Sequence, residues 1–177
     1  MNRYESIRKP LLLSVFLIIQ TFRYFSNDLT NEFSLEYTGN PMAKANTKSR
    51  LRMVTLYHVA ANVNGIVVGT GNKVEDYGVG FYTKYGDGGV DIAPIADIYK
   101  TEVWELGRHL GVNEKIIEAS PTDGLWDDKR TDEDQLGASY AQLEEAMEYG
   151  TGPAVKILET FNGRNKHKME SIPTFKL

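Results

Sequence analysis

An α/β fold is what this sequence predicts, and three observations predict it. Apolar residues at helical spacing run up to Gly65, the β-branched residues Ile66, Val67 and Val68 follow, and further helical runs lie beyond a long glycine-rich loop. The chain has 177 residues, enough for one domain with a real core. Its hydrophobic share of 41% is ordinary for a globular protein. A formal net charge of −4 gives no footprint for nucleic acid, which favours a basic surface. With no cysteine there is neither a disulfide framework nor a thiolate metal site, in keeping with a reducing cytoplasm. His58, His109 and His167 are scattered along the chain, which argues against a histidine zinc site.

The elements follow in order. Basic residues precede an apolar run over residues 11–19, too short for a bilayer, which needs about 20. It has the outline of a secretory signal, but Gln20, Thr21, Phe22 and Arg23 make no small-residue cleavage site. A buried strand or helix is expected there, and no membrane span. Residues 27–43 hold the turn formers Asn27, Asp28, Asn31, Gly39, Asn40 and Pro41 and read as a connector. Asn46 is a good N-cap for a helix over 46–63 with Leu51, Met53, Leu56, Tyr57 and Ala60 inside it. Residues 66–68 read as a buried strand, and one strand makes no sheet alone. Its neighbours are expected from the N-terminal stretch or from a partner chain. Helical period returns from Pro94, with Val103, Leu106 and Leu110, closed by Gly111. A short helix over 114–119 and a second loop, SPTDGLWDDKRTDED, come next. Ser139 and Gln142 form a capping box for a helix ending near Gly150, and Val155, Leu158 and Phe161 mark the last helix.

The loop after the strand opens GTGNKVED and fits neither G-x-G-x-x-G nor G-x-x-x-x-G-K-[ST]. Its place at the carboxyl end of a strand is nevertheless where open α/β sheets bind ligands. The Thr70 hydroxyl suits a nucleotide or its phosphates, with a plain turn as the equal alternative. Glu75, taken alone, reads as a solvated surface glutamate; a magnesium ion bridging it to phosphate is the other reading. Lys84 and Lys100 suit phosphate as point charges. Asp87 and Asp91 suit an ammonium or a ribose hydroxyl, or they belong to a loop with no site. Arg50 and Arg52 are two apart and face different ways, so at most one reaches the ligand of the other groups. Asp132, Glu133 and Asp134 look like a metal cluster, but acids at a helix N-terminus explain them better. Trp104 and Trp126 read as packing residues, with Trp126 also available to line a pocket.

Taken in order, ANTKSRLRM, VVGTGNKVED, GFYTKYGDGGVDIAPIADIYKT, SPTDGLWDD, TDEDQLGASY and the late His167-Lys168 resemble the ammonia-dependent NAD synthetases, of the ATP pyrophosphatase group. The resemblance covers residue 28 to the C-terminus, and FYTKYGDGG separates it from the GMP and asparagine synthetases. It implies a Rossmann-like, three-layer αβα fold of the adenine-nucleotide-hydrolase type, and a cytoplasmic homodimer with dinucleotide sites at its interface. It implies amidation of deamido-NAD to NAD: ATP adenylates the nicotinate carboxylate, pyrophosphate leaves, and ammonia then displaces AMP. The chain is too short to add a glutamine amidase domain, so free ammonia is the expected nitrogen source. By motif, Arg50, Lys84, Asp91, His167 and Lys168 would contact deamido-NAD. Thr70, Lys100 and Thr122 would contact ATP, Glu75 would hold Mg²⁺, and Asp87 would belong to the loop that receives ammonia. The family's S-G-G-x-D-S pyrophosphate loop is absent from this sequence. The expectation is therefore an N-terminally truncated fold, with residues 1–27 as an atypical leader and 28–177 as the C-terminal portion of the synthetase domain. The alternative is a catalytically inactive fragment that keeps a dinucleotide-binding or dimerisation surface.

Overall fold

The computed structural model describes residues 40–126 and 128–175. The expectations for residues 11–19 and for a boundary between 27 and 28 lie outside them. Helix α1 spans Pro41–Asn62, and the Asn40 side chain accepts a hydrogen bond from the Met42 amide at 3.0 Å. The helix thus begins earlier than Asn46. Pro41, read from sequence as a turn former, sits in the first turn, where its fixed φ is already helical and its missing N–H is no loss.

The expected strand at 66–68 shrinks to a single parallel bridge between Val68 and Ile92. Gly69 N donates to Ile92 O at 2.7 Å and Asp91 N to Val67 O at 2.9 Å. Only Val67 is buried; Ile66, Val68 and Ile92 stay about half exposed. No longer strand occurs among the described residues. The loop that follows is less irregular than its sequence suggests, because Val74–Val79 form a π-helix. Val74 and Val79 are five apart and both fully buried. A five-residue repeat drifts off one face in an α-helix but stays on it in a π-helix.

Turns occupy residues 94–97, so helix α2 starts later than Pro94 and spans Lys100–His109. The Glu102 carboxylate accepts from the Tyr99 amide at 2.8 Å at its start. Helix α3 spans Glu114–Ile117 and α4 spans Asp132–Leu136. Thr131 caps α4 through a reciprocal box with Asp134, so the acidic triplet does open a helix, as expected. Helix α5 spans Tyr140–Tyr149 behind the Ser139–Gln142 box, and α6 spans Val155–Met169.

The core lies where the π-helix, α5 and α6 meet. Val74, Val79, Leu136, Tyr140, Leu143 and Ala146 are buried there, with Phe81, Leu158 and Phe161 packed around them. One face of α6 also reads the carbonyls that the end of the π-helix leaves free. Asn162 donates to Gly78 O at 3.0 Å, Asn165 to Val79 O at 2.8 Å and Lys168 to Gly80 O at 2.9 Å. These three residues recur every third position, so a single helix face holds the chain as it leaves the π-helix. Among the described residues no helix is long and apolar enough to cross a membrane.

Candidate functional site

Two cavities of about 450 Å³ and about 440 Å³ open side by side and share Phe81, Asp87, Asp123 and Leu125 as lining residues. The first gathers Thr70, Glu75, Lys100 and Thr122. The second gathers Arg50, Lys84, His167 and Lys168. Asp87 lines both. Arg52 faces the first cavity while Arg50 faces the second, the divergence that their spacing on α1 requires. Asp91 lines neither. Its carboxylate accepts from Val67 N at 2.7 Å and from the Tyr57 hydroxyl at 3.1 Å, which holds the strand bridge together.

In the first cavity the reading of Glu75 as a solvated surface residue is overturned, since its side chain is only 15% exposed. One carboxylate oxygen accepts from the Tyr140 hydroxyl at 2.6 Å, and Lys100 Nζ lies 3.6 Å from it. The other accepts from Asn72 N at 3.2 Å. The π-helix brings this about: Asn72 Oδ1 accepts from the Val74 and Glu75 amides and so orders the first turn. Across the Tyr140 hydroxyl stands Asp132, 7% exposed, with Oδ2 at 3.4 Å. Its Oδ1 is buried and has no hydrogen-bond partner among the described residues.

Burial, then the charges of Glu75 and Asp123, push the Asp132 carboxyl up to about 6. Burial, then Glu75 and Asp87, push Asp76 up to about 6 as well. Burial also drives the Tyr140 hydroxyl far above its usual value, helped by Glu75. A carboxyl raised above its unfolded value of about 3.9 favours the fold only while protonated. The metal-free protein therefore loses this contribution as pH rises from about 4 through about 6. Asp132→Asn is expected to stabilise the metal-free protein at pH 8 by about 1–2 kcal/mol. The gain should vanish below pH 4, and thermal melts across that range in chelator check it.

In the second cavity the cations are tied to the backbone. Lys84 Nζ donates to His167 O at 2.6 Å, and Arg50 Nε donates to Lys84 O at 3.3 Å. Lys168 Nζ donates to Tyr82 O at 2.7 Å and lies 5.4 Å from the Tyr82 ring centre. Burial lowers the Lys168 ammonium, against the opposing pull of Asp87. Trp126 lines this cavity, with the Arg130 guanidinium 4.3 Å from its ring centre. Trp104 packs edge-on against Tyr140 at 6.4 Å between centroids.

The shared wall is built by α1. Ser49 Oγ donates to Asp87 Oδ1 at 2.6 Å and accepts from the Asp87 amide at 3.0 Å. The Thr83 amide also donates to Asp87 Oδ1, at 2.9 Å, and Thr83 Oγ1 donates to Asn46 at 2.7 Å. The loop is thus fastened to a helix rather than left as a free surface loop. Ser49→Ala should loosen it by about 1–2 kcal/mol, read as faster hydrogen exchange at the Thr83 and Asp87 amides.

Sequence reasoning missed Ser49, Asp123, Asp132 and Tyr140. Ser49 and Tyr140 fall within the motifs ANTKSRLRM and TDEDQLGASY, but nothing local singles them out, since each acts through a long-range contact. Asp132 had one signal, its place in an acidic triplet, which the helix N-terminus accounted for. Asp123, at the turn in SPTDG, accepts from Leu125 N, Trp126 Nε1 and Gln135 Nε2 and fixes the second loop.

The sequence profile of the NAD synthase family matches residues 13–173. The chain is 46% identical over 129 residues to the NH(3)-dependent NAD(+) synthetase of Carboxydothermus hydrogenoformans, covering 72% of this chain and 52% of that protein. It is 44% identical over 147 residues to the enzyme of the same name from Archaeoglobus fulgidus, covering 82% and 56%. The chain therefore spans about half the length of these relatives. Among solved structures, the NMN synthetase of Francisella tularensis matches with a TM-score of 0.76 and 31% identity, over 99% of this chain and 75% of that one.

Proposed function

The chain belongs to the NAD synthase family, and on that premise we propose that it carries part of the machinery that amidates deamido-NAD with ammonia at the expense of ATP. The observation that carries this reading is the pair of cavities with one wall in common at Asp87. One cavity takes ATP and the other the pyridine dinucleotide, so that the nicotinate carboxylate meets the α-phosphorus at the wall.

The chemistry assigns the work. A carboxylate is a poor acyl donor, being anionic and without a leaving group. Its oxygen attacks the α-phosphorus, the bond to the bridging oxygen breaks, and pyrophosphate leaves. Ammonia then adds to the acyl carbon and AMP departs with the electron pair. Lys100 offsets charge on the phosphates, and Thr70 and Thr122 orient the nucleotide by hydrogen bonds. Arg50, Lys84, His167 and Lys168 hold the dinucleotide, and Asp91 braces the loop behind them. Asp87 accepts hydrogen bonds from ammonia as it enters and takes up the proton it sheds.

Mg²⁺ fits the first cavity. Glu75 offers a largely buried carboxylate, and a hard cation takes oxygen ligands. Among the described residues no cluster of three metal-binding side chains occurs, so phosphates and water would complete the shell. When bound, the ion would neutralise the leaving pyrophosphate. The three-layer αβα arrangement, the homodimer and a cytoplasmic setting complete the proposal, each resting on family membership.

A second reading is a binding module without turnover. It is the reading that fits a chain spanning about half the length of the relatives it matches. Formation of NAD from deamido-NAD, ATP and ammonium by the purified chain decides between them. Turnover near that of a full-length relative supports the complete enzyme, whereas substrate binding without product supports the module. The likeness to an NMN synthetase makes the mononucleotide the comparison ligand.

A further inference from the structure

We propose that Asp132 supplies a second protein oxygen, Oδ1, to the divalent cation held by Glu75. This rests on the assignment of a cation to Glu75 and goes beyond it to a residue whose acidic neighbours explain it only as part of a helix start.

Buried carboxylates are paired, hydrogen-bonded or bound to metal. Asp132 is 93% buried by the complement of its 7% exposure, yet it has little structural work. The cap of α4 is made by Thr131 with Asp134. The Asp132 backbone is fixed by its own amide, which donates to Pro121 O at 3.0 Å. The side chain receives one long contact, from the Tyr140 hydroxyl to Oδ2 at 3.4 Å, and Oδ1 receives none among the described residues. The same hydroxyl touches Glu75 at 2.6 Å, so the two carboxylates stand on either side of a single oxygen. Asp132 also lines the cavity that holds Thr70, Lys100 and Thr122. A cation between two carboxylates in so small a space would relieve their repulsion; Lys100 makes its ion pair with Glu75, at 3.6 Å, and reaches Asp132 only through its longer-range charge.

Two protein carboxylates leave most of an octahedral shell to water and phosphate, the usual division for Mg²⁺ beside a nucleotide. Tyr140 then acts as a positioning residue. Its hydroxyl keeps both carboxylates apart and oriented until the cation arrives.

Terbium(III), an oxygen-seeking ion, is the probe. Tyr140 and Trp104 lie beside the site and sensitise its emission. The full chain is titrated with terbium(III) under aromatic excitation, and emission lifetimes in light and heavy water count the bound waters. Asp132→Asn is expected to weaken binding at least tenfold and to add about one water to the ion, as replacing one carboxylate oxygen ligand requires. Glu75→Gln should weaken it too, and Mg²⁺ should compete with the wild-type signal. If Asp132→Asn leaves affinity and water count unchanged while Glu75→Gln weakens binding, the role of Asp132 is overturned and the Glu75 site stands. If Glu75→Gln changes nothing, the Glu75 assignment fails and this inference with it. Thermal melts in chelator guard against misfolding, since the Asn variant is expected to be at least as stable as the wild type.

Discussion

Tyr140→Ala is expected to cost about 3–5 kcal/mol, the range for truncating a buried aromatic. The ring is fully buried at the junction of the π-helix, α4 and α5, among Val74, Leu136 and Leu143. Its hydroxyl is the donor shared by Glu75 and Asp132. Truncation therefore opens a cavity and leaves two close carboxylates without their common donor. Tyr140→Phe separates the two effects. It keeps the packing and removes only the hydroxyl, so its cost is about 1–3 kcal/mol. Urea melts of both variants measure the difference. Equal losses would mean that the ring contributes nothing as packing.

Gly80→Ala ranks next. Gly80 has a φ of 62° and closes the π-helix, and an added Cβ would lie 2.6 Å from Asn165 Cβ and 2.8 Å from Met169 Cε. An L-residue there loses about 1–2 kcal/mol from its backbone alone. The overlap with α6 adds strain, for a total of about 2–4 kcal/mol. Asn165 itself holds Val79 O, so relief by moving it breaks a hydrogen bond. The same shift would pull Lys168 from Gly80 O and Tyr82 O. The substitution should therefore lower both the urea midpoint and the affinity of the second cavity.

Elements with strong local signals were legible. The Ser139–Gln142 box fixed the start of α5, and Gly111 and Gly150 marked where α2 and α5 stop. The start of α1 was not, because proline serves turns and first helical turns alike. The π-helix was hidden for a different reason. Its six residues are too few for periodicity, and burial of Val74 and Val79 together makes sense only with an i→i+5 repeat. Ile66, Val67 and Val68 look like a buried strand by composition, yet burial depends on what lies alongside them, which no local pattern encodes.

The site divides likewise. Thr70 and Lys100 could be named because they follow a strand or flank a glycine-rich loop, whereas Glu75, which alone reads as a surface residue, and Thr122 came with the family's motifs. Ser49, 38 positions before Asp87, and Tyr140, 65 positions after Glu75, act through contacts that only the fold creates. Asp91 shows the converse. Its spacing suited a ligand residue, and its carboxylate is spent on Val67 and Tyr57.

The most direct test of two neighbouring substrate sites is calorimetry of the purified chain with ATP and with deamido-NAD, on four single variants. Arg50→Ala and Lys84→Ala should weaken deamido-NAD about tenfold, near the 1.4 kcal/mol of a lost charged contact, and leave ATP within about twofold. Lys100→Ala and Thr122→Ala should do the reverse. Variants that weaken both ligands alike, or a wild-type chain that binds neither, would contradict the assignment of one cavity to each substrate.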